Sequence, residues 1–207
     1  MRPRVIVLNG GSSAGKSSLV RALQGVLAEP WIAFGVDSLV EAMPPRLLEG
    51  PDGLAIAADG SIAVGPAYRA IARAWREGIG AMARAGANVI LDLVFLDGAA
   101  NQAEWRDALR ALPVFWVGVR CAPAVARARE AARGDRIPGM AVRQAQTVHR
   151  GVAYDLDVDT AAATSEACAR AIAARMDGVP GAGDPPPGLS LRRPSCADPP
   201  AHRNVPR

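Results

Sequence analysis

The run Gly10-Gly11-Ser12-Ser13-Ala14-Gly15-Lys16-Ser17 satisfies G-x-x-x-x-G-K-[ST] at every position. It lies between a continuous aliphatic stretch, Val5 to Leu8, and a segment with apolar residues at Leu19, Val20, Leu23, Val26 and Leu27. The first suits a strand buried on both faces and the second has helical spacing. A strand, a glycine-rich turn and a helix in that order leave few folds open. Gly10 and Gly15 allow the turn backbone angles that other residues resist. The turn then points N–H groups inward, and the helix adds the positive end of its dipole at the same place. Such a cradle, Gly10 to Ser18, suits a polyphosphate: Lys16 reaches the β- and γ-phosphates of ATP and the Ser17 hydroxyl ligates Mg²⁺. Lys16 is the only lysine in a chain whose other Lys and Arg positions, out of 24, are all arginine. A compact ammonium fits among phosphates as a planar guanidinium does not.

Downstream, strand and helix alternate. Trp31–Phe34, Val89–Leu91, Val114–Val119 and Leu156–Val158 read as strands. Ser38–Leu48 (broken at Pro44-Pro45), Ala67–Ala85, Ala99–Leu112, Pro123–Arg133, Met140–His149 and Ser165–Met176 read as helices. Leu54–Val64 reads as a hairpin turning at Asp59-Gly60. Connections this long between strands imply an α/β fold, a parallel sheet covered by helices on both faces. From Gly178 the chain is rich in Pro and Gly, so residues 1–177 are expected to form one domain and 178–207 a disordered tail.

In a parallel sheet the carboxyl ends of the strands line the ligand crevice. Asp37 follows the second strand there. It can orient an acceptor hydroxyl and take its proton, or it can simply cap a helix starting at Ser38. Asp92 ends the third strand and can hold Mg²⁺ with Ser17. Asp97, Asp155, Asp157 and Asp159 suit caps, turns or solvated charges. Arg133 and Arg136 bracket a loop and can close over the phosphates, whereas Arg127 and Arg129 suit a solvated helix face paired with Glu130 and Asp135. Phe34, Met43 and Phe95, with Trp31 and Pro44, are candidates for an apolar acceptor pocket near strands two and three. Sequence alone offers few further charged side chains there.

The net charge of +4 excludes little. Part of it lies in the tail, where Arg192, Arg193, Arg203 and Arg207 face Asp184 and Asp198, and no basic cluster carries interleaved aromatics. Nucleic acid is therefore not an expected partner. No apolar stretch approaches a membrane span, and Val5 to Leu8 is too short for a signal peptide. Cys121, Cys168 and Cys196 form no C-x-x-C pair, and His149 and His202 have no cysteine in ligand spacing, which points to reduced thiols in a cytoplasmic protein without structural zinc.

Taken together, the chain resembles the chloramphenicol phosphotransferase family over residues 4–177. The likeness runs through Ile6 to Ser17, Glu29-Pro30-Trp31, Ala33 to Leu39, Glu41 to Pro44, Ala81 to Ala87, Trp116 to Cys121 and Arg133-Gly134-Asp135-Arg136. It implies a three-layer P-loop fold like that of nucleoside monophosphate kinases, with five parallel strands in the order 2-3-1-4-5. It also implies phosphorylation of the primary hydroxyl of chloramphenicol, which inactivates the antibiotic. On that resemblance Asp37 is the base, Ser38 lies beside the acceptor and Arg136 approaches the transferred phosphate. One departure stands out: the family's third strand ends in two acidic residues, whereas Leu93 follows Asp92 here.

Overall fold

A computed structural model describes residues 2–48, 50, 52–57, 61–133, 139–178 and 189–190. In chain order the main elements are β1 (Val5–Asn9), α1 (Lys16–Val26), β2 (Trp31–Gly35), α2 (Val36–Glu41), β3 (Leu54–Ile56), β4 (Ile62–Val64), α3 (Pro66–Arg84) and β5 (Asn88–Leu93). There follow α4 (Ala99–Ala108), β6 (Val114–Arg120), α5 (Pro123–Arg133), α6 (Met140–Thr147), β7 (Leu156–Asp159), α7 (Ser165–Met176) and β8 (Leu189–Ser190).

The sheet order is β2-β5-β1-β6-β7-β8. Its first five strands are parallel, and counted among themselves they stand 2-3-1-4-5 as the resemblance implies. Two features lie outside that plan. The hairpin β3–β4 forms a separate two-stranded sheet, and its Asp59-Gly60 turn falls outside the described residues. Within the segment read as a tail, Leu189 and Ser190 pair antiparallel with Val158 and Asp157. The remainder of that segment beyond Gly178 also falls outside the described residues.

Strand alternation explains the three layers. Ile6 and Leu8 of β1 face α1 and α7, packing with Leu19, Leu23, Cys168 and Ile172. Val5 and Val7 face the other way, toward Ile79 and Ala83 of α3, Trp105 of α4 and Leu109, which caps α4. A strand whose two faces are both covered must be apolar throughout, which is why β1 shows no polar alternation. Removing two such faces from water supplies the main drive for folding, roughly 25 cal/mol per Å² of apolar surface.

Local chemistry sets where the elements stop. The helix after β2 starts earlier than its proline-broken pattern suggests: Gly35 is its N-cap, and the Ser38 hydroxyl accepts from the Gly35 N–H at 3.0 Å. Asp37 therefore sits in the first turn of α2 rather than at its cap. α2 ends at Glu41, and the chain restarts as a short 3₁₀ turn over Pro45–Leu47, as the two prolines require. Gly86 follows α3 with φ +110°, a left-handed value suited to helix termination. Among the described residues no helix is long and apolar enough to cross a membrane.

Candidate active site

The turn between β1 and α1 has the shape its sequence implies. Ser13 and Gly15 both adopt left-handed backbone, φ 58° and 82°. A Cβ on Gly10 would lie 2.6 Å from the Val119 carbonyl oxygen, so only glycine lets the turn pass β6 this closely. Lys16 is 7% exposed; its Nζ donates to the Gly11 carbonyl at 3.0 Å and lies 3.5 Å from Asp92 Oδ1. The Ser17 hydroxyl donates to Asp92 Oδ2 at 3.1 Å. The hydroxyl of Ser13 is buried and has no hydrogen-bond partner among the described residues. A buried hydroxyl is costly to leave unsatisfied. A buried ammonium and an orphaned hydroxyl, on a turn with left-handed backbone at Ser13 and Gly15, make a donor set that fits a polyphosphate.

Behind the turn, a buried network holds it in place. Asn9 Oδ1 accepts from the Phe95 N–H at 2.9 Å, and its Nδ2 donates to the Val148 carbonyl at 2.8 Å and to the Tyr154 hydroxyl at 2.6 Å. The Tyr154 hydroxyl, which accepts from Asn9, can give its own proton to His149 Nδ1, 2.7 Å away. Burial, with the charges of Arg120 and Lys16, pushes the His149 ring down to about 4. Burial above all pushes the Tyr154 hydroxyl up to about 12. Gln144 of α6 accepts from the Ser12 N–H at 2.7 Å, which ties α6 directly to the turn.

One cleft of about 1310 Å³ joins this turn to the ends of β2 and β5. Ser12 to Ser18, Phe34, Asp37, Ser38, Asp92 and Phe95 all line it, so the structure brings together most of the residues singled out in the sequence. Met43 does not line it: it is buried against Leu39 and Ala72 behind α2, and its role is packing. Trp31 is likewise core, in contact with the α1–α7 layer. Arg136 lies outside the described residues, as does the side chain of Arg133.

Five features were missed or misread. Arg129 is not on a solvated face. Its Nη2 donates to the Thr160 carbonyl at 2.7 Å and its Nη1 to the Thr160 hydroxyl at 3.2 Å, and Thr160 in turn donates to the Ala14 carbonyl at 2.7 Å. Its placement one helical turn before Arg133 was a signal for a shared face. Glu130, expected to pair with these arginines, is buried and accepts from the Gly139 and Ala141 N–H groups, both at 2.8 Å. Asp157 is not solvated either, since it accepts from Arg120 Nε at 2.7 Å while almost fully buried. The cleft beside β2 is also more charged than the sequence suggested, because Arg69, Arg73 and Arg76 of α3 all line it. Gln144 has no sequence signal, for its partner lies 132 residues away.

Comparison with known proteins agrees with this geometry. Residues 3–177 match the model of a family described as chloramphenicol phosphotransferase-like protein. A Mycobacterium tuberculosis protein of strain H37Rv, provisionally named an O-phosphotransferase, is 36% identical over 183 residues, covering 81% of this chain and 79% of its own. Among solved structures, a gluconokinase from Sinorhizobium meliloti superposes with TM-score 0.56 at 19% identity, covering 86% of this chain and 93% of its own. The Deinococcus radiodurans tunicamycin resistance protein superposes with TM-score 0.57 at 18% identity, covering 94% and 100%. These last two likenesses establish the fold. With the family match spanning nearly the whole described core, the chain belongs to the chloramphenicol phosphotransferase-like family and is a phosphotransferase of P-loop kinase fold.

Proposed function

We propose that the chain moves the γ-phosphate of ATP onto the hydroxyl of a small molecule held beside β2. The observation that carries this reading is the junction of Lys16, Ser17 and Asp92, which opens into the same cleft as Asp37. Turn N–H groups, the Ser13 hydroxyl and Lys16 hold the polyphosphate. Ser17 and Asp92 would hold Mg²⁺, which when bound supplies positive charge to the phosphate oxygens and needs only one or two protein ligands. Asp37 accepts the proton of the acceptor hydroxyl as that oxygen bonds to phosphorus and the bond to ADP breaks. Arg129, and Arg133 with Arg136 from the segment that follows, would offset charge on the transferring group and keep water out.

For the acceptor, the family match makes the primary hydroxyl of chloramphenicol or a close analogue the first to test, with antibiotic resistance as the consequence of its phosphorylation. Phe34, which lines the cleft with Asp37, would give the antibiotic's aromatic ring an apolar wall, while Phe95 borders the cleft but is 1% exposed and packs in the core. A second reading, a different hydroxylated metabolite, is favoured by the arginines of α3. The test is direct: incubate the protein with Mg-ATP and chloramphenicol and examine the products by mass spectrometry. A phosphorylated antibiotic supports the first reading. Unchanged antibiotic removes it and leaves the kinase reading intact, whereas failure to bind Mg-ATP removes both.

A further inference from the structure

Arg69, Arg73 and Arg76 stand at i, i+4 and i+7 on α3, so they share one face of the helix, and that face lines the acceptor half of the cleft. Arg76 is half-buried and pairs with Glu104 at 3.4 Å. Arg69 and Arg73 are exposed to the cleft and make no ion pair among the described residues. Of the carboxylates lining the same cleft, Asp92 is engaged by Lys16 and Ser17, and neither Asp37, Glu41 nor Asp97 is paired with Arg69 or Arg73.

This is an unfavourable place for two free cations. Like charges one helical turn apart repel. The first turn of α3 has no acidic residue and Gly65 caps it without a side chain, so the positive end of the helix dipole adds to the same field. The hairpin side chains that line the cleft, Leu54, Ile56, Ile62 and Val64, bring no counter-charge. A planar guanidinium matches a carboxylate or phosphate through two parallel hydrogen bonds, and a second guanidinium one turn away doubles the recognition.

We infer that the acceptor carries an acid group, a carboxylate or a phosphate ester, which Arg69 and Arg73 hold while its hydroxyl faces Asp37. This rests on the phosphotransferase reading above but not on chloramphenicol, which is neutral. The apolar hairpin would cover the carbon skeleton between the two ends.

The test uses the full chain with Mg²⁺ and a saturating non-hydrolysable ATP analogue, so that added anions cannot occupy the phosphate turn. Malonate and methyl phosphate are titrated in separate calorimetric arms, with 1,3-propanediol as the neutral control. Binding of either acid at least tenfold tighter than the diol is expected, and the tighter arm identifies the acid group. Arg69→Gln with Arg73→Gln should weaken that binding at least tenfold and leave affinity for the ATP analogue unchanged, which also reports that the variant is folded. Should the double variant fold poorly, Arg73→Gln alone is read the same way. The inference is overturned if neither acid binds the nucleotide-loaded protein, or if the variant binds both as the wild type does. If the ATP analogue itself does not bind the wild type, the phosphotransferase reading falls and takes this inference with it.

Discussion

The Ser17 hydroxyl donates to Asp92 Oδ2 across 3.1 Å, linking the start of α1 to the end of β5. Asp92 Oδ1 faces Lys16 Nζ at 3.5 Å, so a single carboxylate touches both the ammonium and the hydroxyl that the proposed function gives to a triphosphate and its Mg²⁺. Replacing Asp92 with Asn keeps the shape and removes the charge. The turnover of Asp92→Asn should fall about 10²- to 10³-fold, the scale of several kcal/mol of metal-assisted charge stabilisation. Nucleotide affinity measured with and without Mg²⁺ checks the cause: the gain that Mg²⁺ confers on the wild type should shrink in the variant. An equal gain in both proteins would place the metal elsewhere.

Asp37 in the first turn of α2 offers a second, separable test. As a base that acts only on the acceptor, it should affect turnover without affecting nucleotide binding. Asp37→Asn should lower kcat by about 10²- to 10⁴-fold, with ATP-analogue affinity by calorimetry unchanged. A variant that keeps full turnover removes Asp37 from the chemistry.

Arg129 braces the phosphate turn through Thr160 and Ala14. Hydrogen bonds from a charged donor are worth about 1.5–3 kcal/mol. Because Arg129 is half-buried, Arg129→Gln should raise KM for ATP about tenfold, near the low end of that range. Steady-state kinetics at saturating acceptor measures this. An unchanged KM would return Arg129 to a surface role.

His149 gives a pH signature that does not depend on activity. Its ring is pushed down to about 4 in the folded protein, from an ordinary 6.5. Between those values the unfolded chain holds more protons than the folded one, so stability falls as pH drops from about 6.5 to about 4. With the half-buried ring discounted for solvent screening, the loss attributable to His149 is about 1–2 kcal/mol. His149→Gln can still accept from Tyr154 and does not titrate, so its urea-unfolding free energy should show a shallower slope over this window. Parallel slopes in wild type and variant would show that the ring is not held neutral.

What could be read from the sequence divides along physical lines. Val5–Leu8, the glycine turn and the α1 spacing are local signals, and they placed β1, the turn and α1 within a residue of where the structure has them. The parallel sheet followed from connection lengths, since strands this far apart in sequence cannot pair as hairpins. The apolar run before Asp92 marks a strand ending at that residue, and the structure carries β5 one residue further, to Leu93. The misreadings all involve side chains whose partners are distant in the chain. Met43 has the apolarity of a pocket residue, but the burial of α2 against α3 takes it into the core. Glu130 looks like a salt-bridge partner for nearby arginines until the chain returns at Gly139 and Ala141 and claims both carboxylate oxygens. The arginines of α3 drew no notice because nothing local shows that the helix borders a cleft. The tail reading missed β8 for a related reason, since a two-residue strand has no periodicity to detect.

The lone lysine has a practical corollary for the bench. Amine-directed reagents can mark this chain at only two kinds of site, its α-amino group and Lys16, and the second is tucked inside the phosphate turn. Acylation at Lys16, followed by peptide mapping, therefore becomes a one-residue gauge of whether that turn is filled. The same scarcity means that cross-linking, dye conjugation or resin coupling through side-chain amines would strike the glycine turn rather than a harmless surface, and Cys121 borders that turn as well, so tethering chemistry for this protein should go through an added tag.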